Sequence, residues 1–313
     1  CDKSGLIRRI SGQLFRDVQI TDDVEQLAGL DLDAIYITTP IPSHFSIAKI
    51  IYSKEISRNL FVEKTLAANC DGAKKMCELA KVSGGVTMVG YMKRFGVTFK
   101  KVKELLSEKF LGELVSFDAY AYSSDFVDVK EGSVSGSRGG VLGDLGSHVV
   151  DVALWLFGDF KVDSAKLKSL NSLGTEDCAS FKVNDFHGLQ GQFDISWCMK
   201  EFRMPEFGLA IQGTKGKINV NDDEVKLELV NGESRRWYRH DLNDNVDFLL
   251  GAPEYFREDK HFIESILNSN GAEPDFSTAS KVDFLIEQAG VVGYNIVNIY
   301  LRRSPISRGY DGV

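Results

Sequence analysis

Between residues 34 and 91, short apolar runs alternate with amphipathic helical stretches, and this rhythm leaves the chain few folds. Ala34–Ile37 carries β-branched residues and is ended by Pro40 and Pro42. Leu60-Phe61-Val62 and Val86–Tyr91 repeat the pattern. Between them lie Ile47, Ala48, Ile50 and Ile51 behind Ser43, then Ala73, Met76, Cys77 and Ala80 ahead of Gly84-Gly85. Short uninterrupted apolar runs read as strands buried on both faces. A β-α-β-α-β order then predicts a doubly wound parallel sheet, whose ligands bind beyond the carboxyl ends of the strands. Thr38, Thr39, Pro40, Glu63, Lys64 and the stretch 91–94 fall at such ends. Lys64, between a strand and a helix, is placed either as a cleft lysine that hydrogen-bonds a substrate oxygen or as a surface lysine. His44 either faces the same edge or is a partner in a turn. Residues 5–20 show little pattern, and Thr21 is suited to cap a short helix after them.

From Glu113 the rhythm changes. Alternating segments at 114–122, 165–170, 179–186, 189–196, 209–212, 217–220, 225–230 and 237–241 predict many consecutive strands, hence a largely antiparallel sheet. One segment interrupts them: GGVLGDLGSHVVDVALWLFG, residues 139–158. Its apolar residues go almost all the way round a helix, which predicts burial, and Gly158 is placed to end it. The exceptions are Asp144, His148 and Asp151 at i, i+4 and i+7, one stripe of ionisable groups on a buried helix. Buried polar groups need partners. The stripe therefore either faces a cavity, ligand or metal, or divides into a helix cap, a satisfied core histidine and an aspartate paired with an arginine elsewhere.

Composition removes some function classes. The formal net charge is −8, which argues against a nucleic-acid surface. No run of about 18 apolar residues is present, so no membrane partner is expected. Five cysteines without CxxC spacing read as reduced thiols of a cytoplasmic protein. Cys70 and Cys77, seven apart on a helix, are expected to pack rather than bind metal, and no metal site is expected. The glycine-rich 132–143 stretch lacks the dinucleotide spacing, and neither GxSxG nor HExxH occurs.

Four motifs in order, ITTPIPSH (37–44), VEKT (62–65), VGYMKRF (89–95) and the 139–158 segment, together resemble the glucose-fructose oxidoreductase / inositol dehydrogenase / rhizopine-catabolism (Gfo/Idh/MocA) family over essentially the whole chain. The resemblance implies a Rossmann-like parallel sheet over 1–92 and a C-terminal α+β domain over 93–313 with an open-faced, mostly antiparallel sheet. It implies NAD or NADP, and a sugar, sugar nucleotide or polyol as substrate. The family's EKP lysine corresponds to Lys64 and its D-x3-H pair to Asp144 and His148. These three are the expected catalytic residues: His148 as base, Asp144 as orienter and Lys64 as polariser. Asp2, Thr38, Thr39, Pro40, His44, Glu63 and Lys64 are the expected cofactor-binding set. Thr65 stands where the family has proline. The family's first strand and glycine loop have no counterpart here, so a truncated Rossmann-like domain is expected.

Lys93, Arg138 and Tyr238 are candidates for substrate contact, with Arg203 and His240 behind them. A large open-faced sheet needs covering, which predicts a homodimer or homotetramer through the C-terminal sheet. Two other readings stand beside the oxidoreductase: a non-catalytic relative or fragment that has lost cofactor binding, and a metal-dependent hydrolase or lyase using Asp144, His148 and Asp151.

Overall fold

In the computed structural model, residues 1–127, 139–171, 175–246 and 251–303 are described, with side chains described as far as residue 293. The chain forms two compact units, Cys1–Met92 with Leu250–Asp283, and Lys93–Leu249 with the segment from Phe284 onward. The expectation of one uninterrupted second domain over 93–313 does not include this return of residues up to 283 to the first unit.

In the first unit, β1 (Ile35–Ile37), β2 (Leu60–Glu63) and β3 (Thr87–Gly90) form a three-stranded sheet in sequential order. Both pairings are parallel, with Ile35 opposite Leu60 and Leu60 opposite Thr87. The crossovers are α2 (His44–Ser53) and α3 (Cys70–Ser83). α3 starts where the Asn69 side chain accepts a hydrogen bond from the Gly72 N–H (2.9 Å) and ends at Gly84 in the left-handed region, φ 69°. Leu60, Phe61 and Val62 are buried, as an apolar strand between two layers must be. α6 (Pro253–Leu267) brings Phe262 against Tyr36 and Phe61, with ring centroids 5.4 and 5.7 Å away. α7 (Phe276–Arg303) begins in this unit.

Two expectations shift here. Residues 5–14, read as weakly patterned, form α1 (Gly5–Leu14), capped by Ser4 and with none of its side chains buried. The helix expected after Thr21 is a 3-10 turn, Val24–Leu27, and Asp23 rather than Thr21 caps it.

The second unit is built on α4 (Val97–Ser107), β4 (Leu114–Tyr122), α5 (Ser147–Phe157) and seven further strands. These are β5 (Lys161–Lys168), β6 (Cys178–Asn184), β7 (Gln190–Ser196), β8 (Glu206–Gly213), β9 (Gly216–Asn221), β10 (Glu224–Leu229) and β11 (Ser234–Tyr238). They make one eight-stranded sheet, in the order β11-β10-β9-β8-β4-β7-β6-β5. Every pairing is antiparallel except β4 with β7.

Register divides the sheet into two faces. Ala165, Phe181, Phe193, Ala119, Leu209, Val220 and Val225 line up on a buried face, which α4 and α5 cover. Phe157 of α5 stacks there on Phe117, centroids 4.6 Å apart. A Cβ on Gly191, in register beside Phe117, would lie 2.2 Å from that ring, so only glycine fits. The other face carries Lys166, Ser180, Asp194 and Tyr120 in one row, and Asp118, Ala210, Asn219, Lys226 and Arg236 in another. It is polar and open.

α5 is apolar on most of its surface, yet it has one fixed rotation. Asp151 is fully buried, and both its carboxylate oxygens accept hydrogen bonds from Arg94, Nε at 2.7 Å and Nη2 at 2.6 Å. Arg94 lies in the 3-10 turn Met92–Phe95 and is itself buried. Removing one partner leaves a buried, uncompensated charge. Arg94→Ala or Asp151→Ala is expected to cost about 3–5 kcal/mol, while Arg94→Met with Asp151→Leu together recovers most of that loss. Urea unfolding of the three variants measures this. Single variants within about 1 kcal/mol of wild type would mean that the pair does not hold α5.

Candidate functional site

The residues expected to carry chemistry fall into two groups, one in each unit. In the first unit, the parallel pairing puts the carboxyl ends of β1, β2 and β3 at one edge. Thr38, Thr39 and Pro40, which follow β1, are exposed there. Glu63 ends β2 and Lys64 follows it, and both are half-buried. The Lys64–Thr65 peptide is cis. Glu63 Oε2 accepts a hydrogen bond from the Lys64 backbone N–H at 3.3 Å. Asp2 is exposed, and its Oδ1 accepts the Ser4 N–H at 2.7 Å.

His44 is in a different position from its neighbours. It has no exposed surface, and both ring nitrogens are already placed against backbone carbonyls: Nε2 2.7 Å from Thr39 O, Nδ1 3.0 Å from Thr65 O. The ring ties the loop after β1 to the loop after β2. His44 thus holds this edge together, with both ring nitrogens against backbone carbonyls.

In the second unit, Asp144 lies on a π-helical turn, Leu142–Gly146, that leads directly into α5. Such turns widen the helix locally and occur often at functional sites. Ser147 Oγ donates to Asp144 O at 3.2 Å. His148, on the first turn of α5, is 9% exposed, and its ring meets the Phe207 ring edge-on with centroids 5.2 Å apart. Asp151 completes the stripe in sequence but not in chemistry, because Arg94 occupies both of its oxygens. The set of three ionisable groups required by the hydrolase or lyase reading is thereby reduced to Asp144 and His148.

The candidates for substrate contact separate. Lys93 is buried. Its ammonium lies 2.5 Å from Asp222 Oδ1 and 4.4 Å from the centroid of Phe207, while Asp222 Oδ2 accepts the Phe207 N–H at 3.3 Å. Lys93 therefore packs behind the ring that His148 touches. Tyr238 is on β11, three strands from β8 and so about 14 Å away across the ladder. It stacks on His240 at 5.6 Å and accepts a hydrogen bond from Arg236. Its pairing with Glu224 puts it on the open face, opposite to Phe207. The structure thus does not bring it to His148. Arg138 lies outside the described residues, and Arg203 is exposed ahead of β8. Phe207 and Asp222 went unremarked in the sequence. No spacing motif links them to Lys93 or His148; only the β8–β9 register does.

Comparison with known proteins gives the same two-part division. Residues 13–91 match an oxidoreductase family with an NAD-binding Rossmann fold, and residues 99–219 match the GFO/IDH/MocA C-terminal domain. An uncharacterized oxidoreductase of Escherichia coli, YdgJ, is 31% identical over 285 residues, covering 82% of this chain and 78% of that one. Inositol 2-dehydrogenase of Rhizobium meliloti is 25% identical over 278 residues, covering 84% and 78%. Among solved structures, levoglucosan dehydrogenase in complex with NADH and levoglucosan superposes with a TM-score of 0.82 at 19% identity, covering 94% of this chain and 87% of that one.

Glu63 has a measurable electrostatic signature. Burial raises its carboxyl above the usual 4.5, opposed by the Lys64 N–H, the Lys64 charge and His44. Its folded-state value is thus above its unfolded value, so between the two the folded chain binds more protons. Stability contributed at low pH is then lost as pH rises from 4.5 through the raised value, and stays lost above it. Glu63→Gln should flatten that part of the Tm–pH curve and leave the variant more stable than wild type at neutral pH. Parallel curves for the two proteins would show that Glu63 is not buried as described.

Proposed function

The chain belongs to the GFO/IDH/MocA family of oxidoreductases with an NAD-binding Rossmann fold, and on that premise we propose that it oxidises a secondary alcohol of a sugar, sugar nucleotide or polyol. The observation that carries the reading is the Asp144–His148 pair, one helical turn apart, with the imidazole fixed against Phe207. No helix among the described residues is long and apolar enough to cross a membrane.

The residues present at the strand ends suit the cofactor. Exposed Thr38 and Thr39 offer hydroxyl donors, half-buried Glu63 and Lys64 flank the next loop, and Asp2 offers an exposed carboxylate to ribose hydroxyls. Arg8, the nearest guanidinium in sequence, is bound to the carbonyls of Asp2 and Lys3 and to Asp22. It is not presented to a 2′-phosphate, which favours NAD over NADP. When bound, the nicotinamide ring supplies a hydride acceptor.

The protein's part is proton transfer and charge stabilisation. Oxidation of the alcohol requires loss of its hydroxyl proton as the carbon–hydrogen bond breaks. His148 takes that proton, since imidazole ordinarily titrates nearest neutrality. Asp144 orients the imidazole or holds a neighbouring hydroxyl. Lys64, in the first unit, keeps the role that the family resemblance gives its lysine, polarising an oxygen on which negative charge develops. His148→Ala is expected to lower kcat by about 10²–10⁴, and Lys64→Ala to do similar damage with an unchanged circular dichroism spectrum. Steady-state kinetics with NAD and a substrate found by a sugar and polyol screen decides it. Near-wild-type kcat in both variants would place the chemistry elsewhere.

The open polar face of the eight-stranded sheet supports a second part of the reading, a homodimer or homotetramer joined through that face. Light scattering at micromolar concentration should give a multiple of the chain mass, and Lys226→Glu together with Arg236→Glu should lower it. A wild-type monomer would contradict the assignment.

A further inference from the structure

We infer that Asp177, Cys178 and Cys198 form a second site, which binds a thiophilic divalent cation such as zinc. Their carboxylate oxygen and two sulfur atoms all lie within 4.8 Å of one another. Tetrahedral zinc, with about 2.3 Å to sulfur and about 2.0–2.2 Å to oxygen, needs its ligand atoms about 3.4–3.9 Å apart. Small side-chain rotations close that difference. Asp177 is fully buried, while both cysteines are half-buried, so solvent can complete the fourth position.

The site is built by register and not by spacing. Cys178 opens β6 opposite Ser196, the last residue of β7. The ladder continues one step, with the Trp197 N–H donating to Asp177 O at 3.0 Å. Cys198 then falls diagonally beside Cys178 on the same side.

Around these three atoms are groups suited to orienting ligands, as the outer layer of a metal site does. The Asp177 carboxylate accepts the Leu170 N–H at 2.8 Å and the Asn171 N–H at 2.6 Å. The Asn171 side-chain amide donates to Cys198 Sγ at 3.5 Å. Ser196 Oγ accepts the Cys198 N–H at 3.0 Å and lies 3.1 Å from Cys178 Sγ, where either atom can be the donor. The Asn171 amide on Cys198 Sγ and the two backbone N–H groups on Asp177 suit ligands that carry negative charge.

Charge fits as well. Two thiolates and one carboxylate carry three negative charges against two positive. Lys168, in register with Cys178 on β5, lies beside the remaining one. Cysteine ligates zinc as the thiolate. Binding exchanges two thiol protons for the ion: the metal gains two Cys–S bonds and one carboxylate bond, both protons pass to solvent, and no group is oxidised or reduced. The ion would clamp residues 170 and 171 and the ends of β6 and β7 into one unit.

The experiment is cobalt titration of the full chain, stripped with a chelator and kept under reductant. One ion per chain, a sulfur-to-cobalt charge-transfer band in the near ultraviolet and release of about two protons per ion are expected, with zinc displacing the cobalt. Cys178→Ser and Cys198→Ser, each shown to be folded by circular dichroism, should each lose much of the band. Asn171→Ala should keep the band but bind about 10- to 100-fold more weakly. His148→Ala should bind cobalt as wild type does, which separates this site from the catalytic reading. The proposal is overturned if reduced wild-type protein gives no thiolate band, if the band survives both serine substitutions, or if native protein holds a Cys178–Cys198 disulfide and takes up no metal.

Discussion

The Arg94–Asp151 pair is the constraint on which the second unit's chemistry depends. A helix that is apolar on nearly every side has no intrinsic preference for how it is rotated in its seat. Each apolar face of α5 could be turned toward the sheet at similar free energy, since dispersion and burial are not directional. A single buried bidentate ion pair is directional. It is satisfied in one rotation, and every other rotation leaves a carboxylate and a guanidinium desolvated without partners. His148 is three residues before Asp151 on the same helix, so the rotation that satisfies Arg94 also fixes where the imidazole points. Asp151, one of three ionisable groups on the stripe, is thus the one that sets the direction of His148.

The same division of labour recurs at the strand ends of the first unit. Of two candidate groups there, His44 and Lys64, the histidine is sealed between two carbonyls and the lysine is left half-buried. A fully buried ring that fills both of its hydrogen-bonding positions with backbone carries geometry from one loop to the next. The exposed threonines and the half-buried Glu63–Lys64 step share that edge. Sealing one polar group to position its neighbours keeps such an edge both ordered and polar.

The sequence made the periodic part of the fold legible and the contacts across strands illegible. The three parallel strands, α2, α3 and seven strands of the larger sheet were readable, because a one-sided or two-sided burial pattern repeats along each segment; the segment expected at 237–241 meets β11 (Ser234–Tyr238) only at its end and runs on into a 3-10 turn, Arg239–Leu242. α1 was missed because its apolar residues meet nothing that a periodicity argument could anchor; its clearest signal was Ser4, a cap three residues before Ile7. The stripe Asp144–His148–Asp151 was visible as a stripe. A pair plus an aspartate held by an arginine was among its readings; which arginine was not legible, because Arg94 is 57 residues away along the chain. Lys93 looked available for the same reason: nothing local predicts that Asp222 will meet it.

The cysteines make the sharpest case. Spacing rules find metal sites whose ligands share one turn, since there the chain itself sets the distance between donors. Cys178 and Cys198 have no such spacing, and the sequence accordingly reads as free of metal ligands. In an antiparallel pair, however, distance is set by register. Once Cys178 faces Ser196, the residue two beyond Ser196 must be a diagonal neighbour of Cys178 on the same face. A ligand pair can therefore be encoded by strand register rather than by separation along the chain. Donors on such a diagonal share a face within reach of one another, but they become visible only when the partner strand and the hairpin register are known.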